Sequence, residues 1–278
     1  MNETLTKSNS ETITIIINTH NEENNIKECI ESAKLLSDNI LVVDMESKDK
    51  TVQIANDMGA EVISFPHSNY VEPGRQFSIN QAKNDWVFIL DADERITPEL
   101  SEEIKSIVAS HKNLIIDFEV KNLSLPTYYR VPRKNIFGRK KWLKHGGWWP
   151  DYQIRLFNKK YLKEWPTRIH ATPIFEGTCG FFKNPLTHFF HGNLEEMVKK
   201  TMIYEEIEAQ LLYEARRPVS TITFFRKFFG ELFRRLILKL GFLDGKYGVI
   251  ESIYQAYSKT ITYIFLYEKY QKEKSRPL

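Results

Sequence analysis

Between residues 13 and 110, short β-branched apolar runs alternate four times with segments of helical period, and this alternation limits the fold more than any other feature of the chain. The apolar runs are Ile13–Asn18, Ile40–Val43, Glu61–Phe65 and Trp86–Leu90. The segments that follow them, Glu22–Leu36, Asp49–Met58, Gly74–Lys83 and Thr97–Ser110, repeat apolar residues at helical spacing, as Ile26, Ile30, Ala33 and Leu36 do in the first. Gly59 stops the second helix, and Thr97-Pro98-Glu99 supplies an N-cap, a first-turn proline and a first-turn acid to the last. Such alternation predicts βαβ units, hence an α/β fold with a mostly parallel sheet flanked by helices. All strand carboxyl ends then face one edge, where ligands bind.

After Asn113 the texture changes. Residues 113–192 are rich in aromatic residues, Pro, Arg and His, with strand-like pieces at Leu114–Val120, Thr127–Val131 and Tyr152–Phe157 between long loops. Three helices are expected near 194–215, 219–240 and 246–272. The expected organisation is a disordered tail over 1–11, an α/β domain over 12–192 with halves 12–112 and 113–192, and a helical appendage over 193–278. A length of 278 residues suits this, and a net charge of +3 gives no reason to expect nucleic acid. Cys29 and Cys179 lack a CxxC neighbour, which disfavours a zinc site or disulfide framework; Cys29 is expected to be a buried thiol, and a reducing cytoplasm fits. The polar first residues predict no secretory signal, and no apolar run approaches the roughly 18 residues of a membrane span.

The fourth apolar run ends in Asp91-Ala92-Asp93-Glu94. Two aspartates at spacing i, i+2 at a strand end can gather a hard divalent cation, and that cation can hold a diphosphate. The same residues also read as a solvated acidic turn before a helix. Other strand ends deliver Asn21-Glu22, Asp44 and the segment before Arg75 to the same edge. Asp44 can accept hydrogen bonds from a base or ribose, or can cap a turn, a role open also to Ser47 and Asp49. Arg75 can pair with phosphate or another charged pocket group, or with Glu72 at the surface. The chain has no Gly-x-Gly-x-x-Gly after its first strand and no Gly-x-x-x-x-Gly-Lys, which disfavours a Rossmann dehydrogenase and a P-loop NTPase.

Four blocks carry a resemblance: Thr19-His20-Asn21-Glu22, Val43-Asp44-Met45-Glu46-Ser47, Gly74-Arg75-Gln76 with Asn80-Gln81-Ala82, and Leu90-Asp91-Ala92-Asp93-Glu94. In order and spacing they resemble the nucleotide-sugar half of the family 2 glycosyltransferases, which have the GT-A fold, over residues 12–100. Arg130-Val131-Pro132-Arg133, residues 146–157, Ile169-His170, residues 185–188 and residues 241–245 are similar to the β-1,4-glucosyltransferase-like branch that assembles lipopolysaccharide core. The resemblance implies an inverting, metal-dependent hexosyltransferase moving a sugar, glucose in that branch, from a UDP-sugar to a lipid-linked surface-glycan acceptor. It implies Glu22 and Asp44 on the uridine with Arg75 beside them, and Asp91 and Asp93 by the diphosphate. Asp93 would be the more direct ligand of Mg²⁺ or Mn²⁺, a Lewis acid for the departing UDP.

An inverting transfer also needs a base within hydrogen-bond reach of the incoming hydroxyl. The Glu-Asp pair that supplies it in much of the family is missing, and Asp151 after Pro150 is the nearest equivalent, with Glu94 in reserve. Arg155, four residues on, would share a strand face with Asp151 and contact phosphate or orient the carboxylate. Trp148 and Trp149 can form a sugar platform or belong to the core. His170 and His188 are candidates for the diphosphate or the metal shell, or are structural. Arg130 and Arg133 either bind an acidic acceptor or line a solvated strand. Two other classes compete: a sugar nucleotidyltransferase, disfavoured by Thr19-His20-Asn21-Glu22 where that class carries a Gly-rich basic loop, and a non-catalytic glycan- or membrane-binding scaffold on a decayed transferase.

Phe224, Phe225, Phe228, Phe229, Leu232, Phe233, Leu236, Ile237 and Leu240 recur at helical spacing, with Arg226, Lys227, Arg234, Arg235 and Lys239 expected on the other face. A basic helix with a bulky apolar face suits the inner surface of an anionic membrane, which makes a cytoplasmic, membrane-peripheral enzyme the expectation; packing on the catalytic domain is the alternative.

Overall fold

The computed structural model describes residues 13–116, 125–168, 172–190 and 194–274. The expected tail over 1–11 lies outside them. The first strands and helices are β1 (Ile13–Thr19), α1 (Ile26–Ala33), β2 (Ile40–Asp44), α2 (Thr51–Asp57), β3 (Glu61–Ser64), α3 (Glu72–Gln81), β4 (Trp86–Asp91), β5 (Glu94–Arg95) and α4 (Pro98–Ile116). Leu114–Ile116, read from sequence as the start of a strand, close α4 instead; the rest of that piece is not among the described residues. Then come β6 (Tyr128–Phe137), β7 (Lys141–Trp142), β8 (Asp151–Asn158), β9 (Leu162–Glu164), β10 (Ile174–Phe175), β11 (Cys179–Phe181) and β12 (Leu186–Phe190). Three helices follow: α5 (Leu194–Glu214), α6 (Thr221–Phe233) and α7 (Gly245–Lys274).

Among the described residues the main sheet runs in the order β3-β2-β1-β4-β8-β6-β12-β5, with β7 and β11 also on β6; β9 and β10 pair separately. β1 pairs in parallel with both β2 and β4, and β2 with β3. This is the predicted α/β core. β1 is β-branched at every position but Asn18, and Ile13, Ile15, Ile16 and Ile17 are fully buried, each contributing about 1.5–3 kcal/mol relative to exposure. One face of the sheet packs on Ile26 and Ile30 of α1, Ala55 of α2 and Leu100 and Ile104 of α4; the other packs on Ile79 of α3. Gly59, at φ +79°, turns the chain out of α2 in the left-handed region. Cys29 is buried in the first of these layers, as expected.

Two compact units divide the chain: Met1–Arg133 with Tyr152–His188, and Lys134–Asp151 with Phe189–Leu278. The cut differs from the linear one at residue 192, because the second unit takes Lys134–Asp151 from the aromatic-rich stretch. In this second unit α5 meets α7 through Tyr254 Oη to the Met197 carbonyl (2.9 Å) and through Glu205, which accepts from Ser258 and Thr262. α6 meets α7 through Phe224 on Tyr267 and the Lys227 ammonium over the Tyr263 ring. After α6 the chain makes a π-turn over Arg234–Leu238 and a 3-10 turn over Gly241–Asp244 before entering α7. No helix among the described residues is long and apolar enough to cross a membrane.

Candidate active site

Parallel register lines up the polar strand ends. Asn18 of β1 stands opposite Asp91 of β4, Thr19 opposite Asp44 of β2, and Asp44 opposite Ser64 of β3. α3 comes close behind this edge: a Cβ on Gly74 would lie 3.3 Å from Asn18 Nδ2. That approach places Arg75, one residue on, against the strand ends. Its Nη2 donates to Asp91 Oδ1 at 2.5 Å and its Nη1 to Asn18 Oδ1 at 3.2 Å. Arg75 thus holds the acidic turn rather than pairing with Glu72.

β8 enters antiparallel to β4, with Phe88 opposite Leu156. The beginning of β8 therefore meets the carboxyl end of β4, and Arg155 Nη2 reaches both Asp91 Oδ2 (2.5 Å) and Glu94 Oε1 (2.6 Å). Glu94 also accepts from the Asp91 amide at 3.1 Å and from Arg133 at 3.4 Å, and its side chain is 0% exposed. A buried carboxylate with these partners is the internal tie of the acidic turn, not a base open to an incoming hydroxyl, and the reserve role read for it from sequence is corrected accordingly. Three guanidiniums, from Arg75, Arg133 and Arg155, face the carboxylates of Asp91 and Glu94. Burial alone would push the Asp91 carboxyl up; the Arg155 and Arg75 guanidiniums overcome this and hold it well below the usual carboxylate range. Burial would lower Arg155, and Asp91 and Glu94 raise it above its ordinary value instead. Arg155 Nε is buried without a partner.

Asp93 lies beside His188. The short pairing of β5 with β12 sets His188 opposite Glu94, and His188 Nε2 lies 3.5 Å from Asp93 Oδ2. The described residues contain no group of three or more His, Cys, Asp or Glu side chains arranged for a metal. A hard cation here would need oxygens from a ligand as well. The residues fit that use: both Asp91 oxygens are taken by arginine, whereas the Asp93 side chain stays 25% exposed beside an imidazole. His170 lies outside the described residues.

At the β1 and β2 ends, Asp44 is buried. Its Oδ2 accepts from the Ser47 amide at 2.9 Å, while Oδ1 is buried without a partner. Thr19 Oγ1, on its register partner, is likewise buried and unpaired. Two such groups cost about 1–3 kcal/mol each unless a ligand satisfies them. Thr19 was not singled out from sequence, since a threonine ending a strand carries no local signal of this kind. The loops after β1 and β2 are laced together by Asn21 to Ser47 and by Lys48 to Asn21, with Asn21 (φ 55°) and Glu46 (φ 60°) in the left-handed region, the kind of strain that gathers at functional sites. Glu22 is half-buried and accepts from Asn25 Nδ2 at 2.7 Å.

Arg130 and Arg133 part company. Three residues apart on β6 they point to opposite faces: Arg133 reaches Glu94, while Arg130 stands opposite Phe181 of β11. They do not form one patch.

The remaining candidates belong to the second unit. Asp151 Oδ2 accepts from Asn135 Nδ2 at 3.1 Å, and the same amide donates to the Trp148 carbonyl. Asn135 is fully buried, so it fixes both ends of the Trp148–Asp151 segment. Trp148 packs on Phe190, and Trp149 sets its edge against Trp142.

The site is an acidic turn clamped by arginines at the carboxyl edge of a parallel sheet, the edge where α/β proteins bind their ligands. The sequence model described as glycosyl transferase family 2 matches residues 14–184. The chain belongs to that family. It is 28% identical to an uncharacterized glycosyltransferase of Rickettsia conorii, covering 98% of this chain and 95% of that one, and 30% identical to one of Rickettsia bellii, covering 93% and 86%. It is also 26% identical to the lipopolysaccharide core biosynthesis glycosyltransferase LpsC of Rhizobium meliloti, over 92% of each chain. Among solved structures it is similar to S. aureus TarS in complex with UDP-GlcNAc, at 14% identity over 94% and 92% of the chains, with a TM-score of 0.49.

Proposed function

We propose that this glycosyltransferase moves a hexose, glucose by the branch it resembles, from a UDP-sugar to a lipid-linked surface-glycan acceptor such as lipopolysaccharide core, with inversion. On this reading it works at the inner face of the cell membrane with the help of Mg²⁺ or Mn²⁺. One observation carries the donor: buried, unsatisfied acceptors on Asp44 and Thr19 end the strands beside the arginines that clamp the acidic turn. Asp44 Oδ1 accepts the imide N–H of uracil, which removes the cost of leaving that oxygen bare. Arg75 and Arg155 hold Asp91 in place and have further guanidinium N–H groups that can donate to the diphosphate. Asp93 and His188 would hold the cation, which supplies Lewis-acid neutralisation of the leaving UDP. Asp151 takes the proton of the acceptor hydroxyl, its carboxylate steered by Asn135. The acceptor class is supported by the likeness to LpsC, whose name places that relative in lipopolysaccharide core synthesis.

A thermal-shift screen of UDP-sugars with Mg²⁺ or Mn²⁺ tests this reading. The cognate donor at about 100 times its Kd should stabilise the protein by about 2.7 kcal/mol; no response to any uridine donor would overturn it. In calorimetry, Asp44→Ala should weaken UDP about 10- to 100-fold through loss of a hydrogen bond to a charged group. Asp93→Ala should abolish the dependence of UDP affinity on the cation while leaving cation-free binding in place.

A further inference from the structure

Helical spacing predicts the aromatic residues of α6 on one face and its cations on the other. The structure divides them differently. Phe224, Phe228 and Leu232 turn inward with Lys227 and Glu231. The outward face carries Ile222, Phe225 (59% exposed), Phe229 (60%) and Phe233 (55%), and the apolar surface continues into Leu238 (64%) of the π-turn. Arg226, Arg234 and Lys239 are exposed within the same stretch. Its two acids are spent internally. Glu231 accepts from Arg234 and Arg235, and buried Asp244 accepts from the Lys144 and His145 amides at 2.9 and 2.7 Å.

Exposed aromatics interleaved with cations, with no acid standing clear, match an anionic bilayer. A second copy of this chain fits less well, because a two-fold contact would set these cations against each other. The stretch is also tied to the loop that bears Asp151. Arg235 Nη1 donates to the Gly146 carbonyl at 3.1 Å, with its guanidinium over the Trp148 ring, and Gly146 N donates to the Lys239 carbonyl at 2.8 Å. Together with Asp244, these bonds make the outward face and the Lys144–Asp151 loop one piece of structure.

We propose that the outward face of α6 and the π-turn seats on an anionic lipid surface, and that this seat sets the Lys144–Asp151 loop, so that lipid contact prepares the acceptor side of the enzyme. This rests on the lipid-linked acceptor proposed above and adds to it the regulation of that side.

The test uses the full chain with phosphatidylcholine vesicles, with or without phosphatidylglycerol, read by co-sedimentation and by hydrogen exchange of residues 143–151. Binding is expected only with phosphatidylglycerol, weakened by salt, with slower exchange in the loop. The double variant Phe229→Glu, Phe233→Glu, altered only at exposed positions, should lose at least about tenfold in bound fraction, together with the loop protection. Arg235→Met should still bind but lose the protection. Equal binding to uncharged vesicles, binding without loop protection, or self-association of the parent that the double variant abolishes would each overturn the proposal. UDP-dependent thermal stabilisation in the same preparations reports the donor reading separately, since the surface variants should leave it intact.

Discussion

Replacing Arg155 by Met should destabilise the first unit by about 3–5 kcal/mol and lower its melting temperature by on the order of 10 °C, the largest stability effect we expect from a single side chain here. The guanidinium bridges Asp91 and Glu94 at 2.5 and 2.6 Å, and Glu94 has no exposed surface. Removing it leaves two carboxylates competing for the remaining arginines, one of them without water. Acid should narrow the difference from the parent protein. The folded-state carboxyl of Asp91 lies well below its ordinary value, so its contribution is present above the unfolded value of about 3.9 and is lost as the pH falls through the folded-state value. In Arg155→Met that depression is partly relieved, with Arg75 still in place, so the variant has less to lose below about pH 4. Calorimetry across pH checks both points; a fall of only a degree or two at neutral pH would mean that the cluster relaxes around the lost charge.

Asp151→Asn should keep UDP binding and lose about 10²- to 10⁴-fold in kcat, because an amide cannot take the hydroxyl proton. The isosteric change retains an acceptor oxygen for Asn135 Nδ2, so the Trp148–Asp151 segment should keep its shape. Donor-binding calorimetry and turnover, measured side by side, separate a lost base from a lost pocket. Transfer at the parental rate would remove Asp151 from the mechanism and return the search for a base to the other polar residues of the chain.

Asp91 and Asp93 share one local pattern and differ in their surroundings. As Asp-x-Asp at the end of an apolar run, both announced themselves at the strand end, and the structure puts them there. Their different environments were not legible. Asp91 is neutralised by Arg75, 16 residues upstream, and Arg155, 64 residues downstream, while Asp93 is met by His188 through the two-residue strand β5. Strands that short carry no period of their own. The bond from Arg155 to Asp91 depends on β8 running antiparallel to β4, which Tyr152–Phe157 as a string of residues does not disclose.

Sequence by itself determined the alternating strands and helices, the parallel core and the acidic strand end, because side-chain period and β-branching act between near neighbours. Tertiary structure alone decided which arginine holds which carboxylate, that Glu94 is sealed inside, that Arg130 and Arg133 face apart, and which aromatics of α6 meet water. Those outcomes depend on pairing and packing between distant segments, and local periodicity does not encode which segments will meet.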